Sequence, residues 1–148
     1  MSYATKQDII DRYDEELLWV IAALRPDPDA DPEEPEAQER LNEAGILKAL
    51  SDATAECDCY LCERYELPLP TVPDVLCGCC VDIAVYNMAT GTKLSDDIKA
   101  RYDRAVKLLE RIAKGAAGLG LPKKNEPQPG SGPALYTGGR NDFEDWTP

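Results

Sequence analysis

The stretch from residue 73 to residue 89 constrains the fold of this chain more than any other. Apolar residues cover most of the circumference of the helix it would form, and only Asp74, Gly78 and Asp82, four apart, leave a thin polar line. A helix that is apolar nearly all round is buried by neighbours on several sides. It is too short to span a bilayer, and aspartates interrupt it. The stretch is therefore predicted to be the central helix of a bundle.

A second helix is predicted just before it. Its apolar side chains recur at steps of three and four, the pattern of an amphipathic helix with one buried face. These residues are Ile46, Leu50, Ala53, Thr54, Cys57 and Leu61. Residues 64–73 connect the two helices. Because residues that precede proline avoid the α region, this proline-rich connector is predicted to be extended.

The N-terminal region is also predicted to be helical. Thr5 is a good N-cap, and Asp8 at the third helical position can complete a capping box with it. Segment 17–24 continues the pattern as a mostly buried piece, with a bend near Asp14.

Residues 25–36 interrupt the helical pattern. The segment holds four prolines and six acidic residues, and no basic residue follows Arg25 within it. Proline removes backbone donors and the acids repel one another, so a solvated loop is predicted. The helix is expected to resume near Glu36 and to restart at Asn42.

The last predicted helix is capped by Ser95 and ends at Gly115. Together, these elements predict an all-α fold, a compact bundle of about four to five helices over residues 1–121.

Residues 122–148 are predicted to form an extended C-terminal arm. From residue 115 to the end there are seven glycines and five prolines, a composition that cannot bury a core. Large side chains spaced along such an arm suit anchors that dock on another surface. The candidate partner-binding residues are Leu135, Tyr136, Arg140, Phe143 and Trp146. The alternative is a disordered tail with incidental aromatic residues.

Charge and the lack of histidine bound the function. The chain has 148 residues, a formal net charge of −12 and no histidine. Repulsion by phosphates argues against binding nucleic acid through a basic patch. Without histidine the usual general base and every histidine metal site are absent. We therefore expect no enzyme, and no catalytic or cofactor-binding residue is assigned. With no signal peptide or long apolar run, the protein is expected to be cytosolic when made and not membrane-bound.

Four of the six cysteines form two C-x₂-C pairs. Cys59 with Cys62 and Cys77 with Cys80 approach the spacing of a four-thiolate zinc site. In an antiparallel hairpin Cys62 would lie near Cys77, and Cys59 near Cys80. The alternative is a set of buried free thiols, because cysteine on an apolar stripe acts as a small hydrophobe. Free thiols are favoured and no metal ligand is assigned, while structural zinc stays open as the minor alternative.

A series of short motifs runs in a specific order along residues 3–121. The most specific is Arg64-Tyr-Glu-Leu-Pro-Leu69, followed by Val72-Pro73. The others are Tyr3-Ala-Thr5, Asp8-Ile-Ile-Asp-Arg-Tyr13, Ala49-Leu-Ser-Asp-Ala-Thr-Ala-Glu56, Asp82-Ile-Ala-Val-Tyr86, Arg101-Tyr-Asp-Arg-Ala105 and Gly118-Leu-Gly-Leu121. This order resembles the small neck proteins of Mu-like tailed phages and prophages. The acidic loop and the cysteines Cys59, Cys62 and Cys77 depart from the pattern.

The resemblance implies a head–tail connector, also called an adaptor or head-completion protein. Such proteins are mostly helical and form a ring of about twelve copies under the portal protein, matching its cyclic symmetry. They extend the channel, through which genomic DNA passes without specific binding. Their other face meets a tail-side neck or tail-terminator protein. The implied location is the virion neck, after assembly in the host cytoplasm.

Two other functions stay open from the sequence. One is an acidic phage regulator that mimics DNA or binds a host protein, with the acids of residues 27–43 as a phosphate-like array. The other is a small zinc-stabilised binding module. A DNA mimic has little use for a long arm dotted with aromatic residues, which favours the connector.

Overall fold

The computed structural model describes residues 2–34 and 38–124. Within them the chain forms five α-helices and a pair of two-residue strands. In chain order these are α1 (Lys6–Arg12), α2 (Glu15–Ile21), β1 (Ala23–Leu24), β2 (Arg40–Leu41), α3 (Glu43–Leu61), α4 (Asp74–Met88) and α5 (Asp96–Ala113). A 3₁₀ turn at Gly91–Lys93 links α4 to α5. The predicted all-α bundle is confirmed.

Helix α4 is the centre of the bundle, as predicted. It packs against α3, α5 and α1. Its buried residues are Leu76, Cys79, Cys80, Val81, Asp82, Ile83, Ala84 and Val85. Helix α4 thus supplies much of the apolar surface that holds the other helices together, since removing such surface from water is the main favourable term in folding.

Helix α3 buries the face that its periodicity predicted. All six residues of the predicted stripe are buried, Thr54 among them. The Thr54 hydroxyl donates to the carbonyl of Leu50 at 2.9 Å and accepts the backbone N–H of Tyr3 at 3.0 Å. The Tyr3 hydroxyl donates to the Asp58 carboxylate. These bonds fasten the N-terminal segment along α3.

The two N-terminal helices begin at N-cap residues, Thr5 for α1 and Asp14 for α2. Thr5 and Asp8 form a reciprocal capping box at the start of α1. Asp14 then separates α1 from α2: its φ of 150° is not helical, and its carboxylate accepts the N–H of Leu17 at 3.1 Å. The predicted bend near Asp14 is confirmed.

The prediction that helix resumes near Glu36 is wrong for the described residues before α3. Residues 40–41 pair instead with residues 23–24 as two short antiparallel strands. The N–H of Asn42 donates to the carbonyl of Ala22 at 2.7 Å. The Asn42 side chain then caps α3 by accepting the N–H of Gly45 at 2.9 Å. Backbone pairing across the acidic loop therefore delays the helix to the restart predicted at Asn42.

Helix α5 begins and ends where its signals predicted. The Ser95 hydroxyl accepts the N–H of Ile98 at 3.2 Å. At the other end Gly115 has a φ of +80°. The N–H of Ala116 donates to the carbonyl of Arg111 at 2.9 Å, and that of Gly115 to Ile112 at 3.1 Å. This is a Schellman motif, which needs a residue that tolerates positive φ.

Candidate functional site

The cysteines do not come together as the minor alternative, a four-thiolate zinc site, would require. All six are free thiols, and Cys59 and Cys62 are exposed on α3. Cys80 is buried and lies 3.5 Å from the Thr54 hydroxyl, with its thiol hydrogen-bonded to that of Cys57. The expected approach of Cys59 to Cys80 is therefore wrong, because Cys59 and Cys57 point to different sides of α3. Across residues 2–34 and 38–124, no group of three or more Cys, Asp or Glu side chains is placed to hold a metal ion.

The thiols of Cys57 and Cys79 are also unsuited to nucleophilic chemistry. Burial raises the pKa of Cys79 to about 11. The hydrogen bond between Cys57 and Cys80, together with burial, raises the pKa of the Cys57 thiol. Since the thiolate is the reactive form, these groups behave at neutral pH as small core side chains.

Asp82 is a buried charge at the heart of the bundle. It is 4 % exposed. Two hydrogen bonds from Arg12 of α1 reach its carboxylate, from Nε to Oδ1 and from Nη2 to Oδ2, each 2.8 Å long. The Tyr13 hydroxyl donates to Oδ1, also at 2.8 Å. A buried carboxylate is costly unless it is paired and hydrogen-bonded, and here it is both. The predicted polar line on α4 therefore faces Arg12 of α1, which contacts both Gly78 and Asp82.

This cluster joins three helices. Hydrogen bonding to Asp82 raises the pKa of Arg12, and burial raises the pKa of Tyr13, so both keep their protons. The Arg101 guanidinium of α5 lies over the Tyr13 ring, 4.7 Å from its centroid, a cation–π contact. An acid in the middle of an otherwise apolar helix was the available sequence signal for such a buried pair.

The proline-rich connector packs against the end of α5. Arg64 Nε donates to the carbonyl of Ala113 at 2.8 Å. The hydroxyl of buried Tyr65 accepts the N–H of Leu119 at 3.0 Å. The N–H of Lys124 donates to the Arg64 carbonyl at 2.7 Å. The most specific motif of the sequence therefore holds the chain that follows α5 as far as Lys124.

A shallow depression lies at this end of the bundle. Its volume is about 220 Å³, and its lining is Glu63, Arg64, Ala113, Lys123 and Lys124. A second depression, about 280 Å³, lies beside the Asp82 cluster and is lined by Asp8, Asp11, Arg12, Asp74, Cys77, Gly78 and Val81. Both are open to solvent, and neither encloses a ligand-sized cavity of the kind that small molecules usually occupy.

The described part of the acidic loop is exposed and locally ordered by turns. All five acidic residues from 27 to 34 are exposed. The Asp27 carboxylate accepts the N–H of Asp29 at 2.9 Å, and the Asp31 carboxylate accepts the N–H of Glu33 at 3.2 Å. The predicted solvated loop is confirmed for residues 25–34. The carboxylates of Asp29, Glu33 and Glu34 are exposed to solvent and accept no hydrogen bond from the described backbone.

Apolar side chains are exposed beside the base of this loop. Trp19 and Val20 in the last turns of α2 are 39 % and 56 % exposed, and Leu47 in the second turn of α3 is 65 % exposed. The Asn42–Ala22 hydrogen bond brings these two helix ends together. The prediction that segment 17–24 is mostly buried holds for Leu18 and Ile21 and fails for Trp19 and Val20. Exposed apolar groups of this size mark interaction surfaces more often than scattered single ones do.

The predicted arm anchors lie outside the described residues. Leu135, Tyr136, Arg140, Phe143 and Trp146 all follow Lys124, where the description ends. Their docking role stays a prediction.

Comparison with known proteins decides the family. The family model described as "Bacteriophage Mu, Gp36" matches residues 3–137, which is most of the chain. The chain belongs to the Bacteriophage Mu Gp36 family. The resemblance read from the motif order is thereby confirmed, and this is a bacteriophage protein. The family match also runs past residue 121, so that Leu135 and Tyr136 fall inside it.

Two Gp36-family relatives illustrate the similarity. "Mu-like prophage FluMu protein gp36" of Haemophilus influenzae is 39 % identical over 124 residues, which cover 84 % of this chain and 79 % of the relative. "Gene product J" of Escherichia phage Mu is 30 % identical over 129 residues, 87 % of this chain and 84 % of the relative. None of the helices in the described part of this Gp36-family chain has the length and apolar character to cross a membrane.

Proposed function

We propose that this chain is a non-catalytic head–tail connector, which forms a ring of about twelve copies in the virion neck. The observation that carries the proposal is the match of residues 3–137 to a family of Mu-like phage proteins. That match spans the helical bundle and the first part of the arm. The neck role itself goes further, and rests on the motif order together with the features below.

The exposed apolar side chains support assembly with further copies. Trp19, Val20 and Leu47 are large and exposed. The first two are near the end of α2 and the third is near the start of α3, and these two helix ends are joined by the Asn42–Ala22 hydrogen bond. Their exposure to water in a monomer is unfavourable in free energy. A ring neighbour would bury them, and burial of apolar surface drives association.

The arm supports a second partner. The described chain reaches Lys124 at the end of the bundle where α3 and α5 finish, and the arm residues follow it in sequence. We propose that Tyr136, Phe143 and Trp146 dock on the portal protein or on a neighbouring copy. Each buried aromatic anchor would contribute on the order of 2 kcal/mol or more to docking. The opposite face of the ring would meet a tail-side neck or tail-terminator protein.

The acidic character of the chain suits a DNA conduit. With a net charge of −12, a ring of such chains would repel the phosphate backbone. A basic lining would retain the duplex through counterion release, while an acidic one lets it pass.

The test uses the phage or prophage that encodes this chain. Its gene is deleted and complemented with the full chain, with a chain ending at Lys124, or with Tyr136→Ala/Phe143→Ala/Trp146→Ala. We expect only the full chain to restore normal virions. The other two should give DNA-filled heads without tails, visible by electron microscopy, and the full chain should be present in purified virions.

Two results would reject the neck role. One is a normal virion yield without the gene. The other is absence of the chain from purified virions while it binds a host protein through Asp29 and Glu33, the behaviour of an acidic regulator. A Lys93→Glu chain, altered at an exposed site away from the arm, is the control and should complement fully.

A further inference from the structure

Helix α5 carries a stripe of unpaired cations in an acidic protein. Residues 99–124 hold eight of the chain's 16 Lys and Arg residues and only two of its 28 Asp and Glu residues. Arg104, Lys107, Arg111 and Lys114 recur at steps of three and four, so they lie along one face. All four are exposed, opposite the buried face of α5. We call these four residues the basic stripe.

The basic stripe has no ion-pair partner in the part of the chain that the structure describes. The ion pairs of α5 are Lys99 with Asp103 and Arg101 with Asp97, both outside the stripe. Glu110 lies next to the stripe without forming a salt bridge to it. Four like charges along one helix face repel one another, so this face gains from an acidic partner.

A complementary surface lies on the same chain. The acidic loop, here residues 27–34, carries five exposed acids and no base. Its nearest flanking cations, Arg25 and Arg40, form no salt bridge with it within the described residues. The loop is held in shape by the turns at Asp27 and Asp31. It therefore presents its free carboxylates as a defined anionic surface.

The two surfaces lie toward opposite ends of α3 within one copy. Tyr102 of α5 bonds to Glu56 of α3, and Arg64 just after α3 bonds to Ala113 of α5. Helix α5 thus runs in the same direction as α3, with the basic stripe beside the C-terminal half of α3. The acidic loop ends in β2, directly before α3 begins. Along α3, the rise from Glu43 to Glu56, where the stripe begins, is about 20 Å.

We propose that the basic stripe of one copy binds the acidic loop of the next copy, head to tail. A contact between two different surfaces of one chain is heterologous, and it closes into a ring when the rotation between copies allows it. The exposed Trp19, Val20 and Leu47 lie beside the loop and would be covered by the same neighbour. This inference rests on the proposed function in requiring that copies assemble, and it adds which two surfaces meet.

A second copy fits the stripe better than DNA does. The whole chain carries a net charge of −12, so a duplex approaching the stripe meets long-range repulsion from the rest of the protein. Every copy carries one acidic loop and one basic stripe, so each stripe in a ring has one loop to bind. Electrostatic complementarity of this kind sets register and partner choice.

The test is a charge swap in the full chain. The stripe variant is Lys107→Glu/Arg111→Glu, and the loop variant is Asp29→Lys/Glu33→Lys, which spares the turn-forming aspartates. The association constant is measured by sedimentation velocity at low and high NaCl. We expect each variant alone to lose self-association by about tenfold or more. Wild-type association should weaken as NaCl screens the charges.

Restoration is the decisive arm. A chain that carries both swaps should associate like the wild type, and so should an equimolar mixture of the stripe variant and the loop variant. In the mixture, the reversed stripe of the first variant meets the reversed loop of the second, and the two unreversed surfaces meet each other. Lys93→Glu/Lys99→Glu, with the same change of charge outside the stripe, is the control and should leave association unchanged. Circular dichroism shows that every variant keeps its helices.

Three results would overturn the inference. They are a wild-type chain that stays monomeric at low salt and the highest attainable concentration, swaps that fail to restore association, or a stripe variant that loses binding to duplex DNA while its association is unchanged. The last result would make the stripe a phosphate-binding surface. The proposed function is judged separately: a stripe variant that still joins heads to tails rejects this contact and leaves the connector role standing. Absence of the chain from virions rejects that role.

Discussion

At the residue scale, the cluster around Asp82 shows how burial makes two partners of one ion pair unequal. The Asp82 side chain is 6 % exposed, whereas that of Arg12 is 42 % exposed. If the pair is broken, Arg12 can turn toward water and the carboxylate cannot. Leaving a charge buried without its partner is the expensive outcome.

The first prediction follows from this inequality. We expect Arg12→Met to destabilise the protein by about 3–5 kcal/mol, since it strands a buried carboxylate. We expect Asp82→Asn to cost about 1–3 kcal/mol, because it weakens hydrogen bonds without stranding a charge. Urea unfolding followed by circular dichroism measures both.

The matched control is Lys48→Met. Lys48 pairs with Asp52 at 2.6 Å on the exposed surface of α3, and such pairs contribute little, so the change should stay within about 0.5 kcal/mol. An Asp82→Asn cost equal to or above that of Arg12→Met would contradict the view that the carboxylate is the isolated partner.

The second prediction concerns the thiols. Iodoacetamide should modify Cys59 and Cys62 in the native protein, because both are exposed on α3. Cys57 and Cys80 should react only after unfolding, because they are buried and the pKa of Cys57 is raised. Peptide mass spectrometry reports the extent at each site. Resistance of Cys59 and Cys62, together with zinc found by elemental analysis, would instead support the four-thiolate site.

At the scale of secondary-structure elements, the end of α5 is where three parts of the chain meet. Gly115 ends the helix at positive φ, and the Arg64 side chain lies over it. A Cβ added at Gly115 would come within 2.6 Å of the Arg64 guanidinium. The packing of Arg64 against the end of α5 therefore requires that residue 115 has no side chain.

The third prediction compares two glycines. Gly120 also has positive φ, +72°, but a Cβ there would meet no atom within 4 Å. Gly120→Ala should cost about 1 kcal/mol for its φ alone. Gly115→Ala should cost more, about 2–3 kcal/mol, because it also displaces Arg64. Thermal unfolding of both, alone and with Arg64→Met, gives the coupling energy. Equal costs for the two glycines would contradict the packing of Arg64 over Gly115.

The acidic loop illustrates an element that the bundle does not need for stability. Its described acids are exposed, and an asparagine keeps the oxygen that accepts the turn hydrogen bonds at positions 27 and 31. The fourth prediction is that Asp27→Asn/Asp29→Asn/Asp31→Asn changes Tm by less than about 2 °C.

Thr5→Ala is the comparison for the loop. It removes the capping box of α1 and should lower stability by about 1 kcal/mol, which the same calorimetric scan resolves. A large fall in Tm on neutralising the loop would mean that its charges are part of the fold.

At the scale of the whole molecule, the packed chain extends beyond the last helix. Leu119 is buried and its N–H reaches the Tyr65 hydroxyl, while Lys124 bonds to Arg64. The bundle therefore includes the Gly-Leu-Gly-Leu segment, and the contacts described for it end at Lys124.

The fifth prediction places this boundary. A chain ending at Lys124 should unfold within about 0.5 kcal/mol of the full chain. A chain ending at Gly118 should lose about 2–4 kcal/mol, because it removes Leu119 from the core and leaves the buried Tyr65 hydroxyl without its partner. Chemical denaturation of the three chains decides it. Loss of stability on ending at Lys124 would show that the arm contributes to the bundle.

Local rules determined much of the architecture from the sequence. The caps at Thr5 and Ser95, the helix end at Gly115 and the periodic face of α3 all depend on neighbours within five residues. The apolar surround of α4 likewise predicted its central place, because only burial on several sides satisfies such a helix. The order of short motifs was enough to indicate the phage family.

Tertiary structure decided what depends on distant residues. Asp82 meets Arg12 from seventy residues away, Cys80 meets Cys57 and not Cys59, and strand pairing across the acidic loop moved the start of α3 to Asn42. Which apolar residues stay exposed was also a tertiary outcome: α2 turns Leu18 inward and Val20 outward. Periodicity reports which residues share a face, but the physical neighbours of that face follow only from how the helices pack.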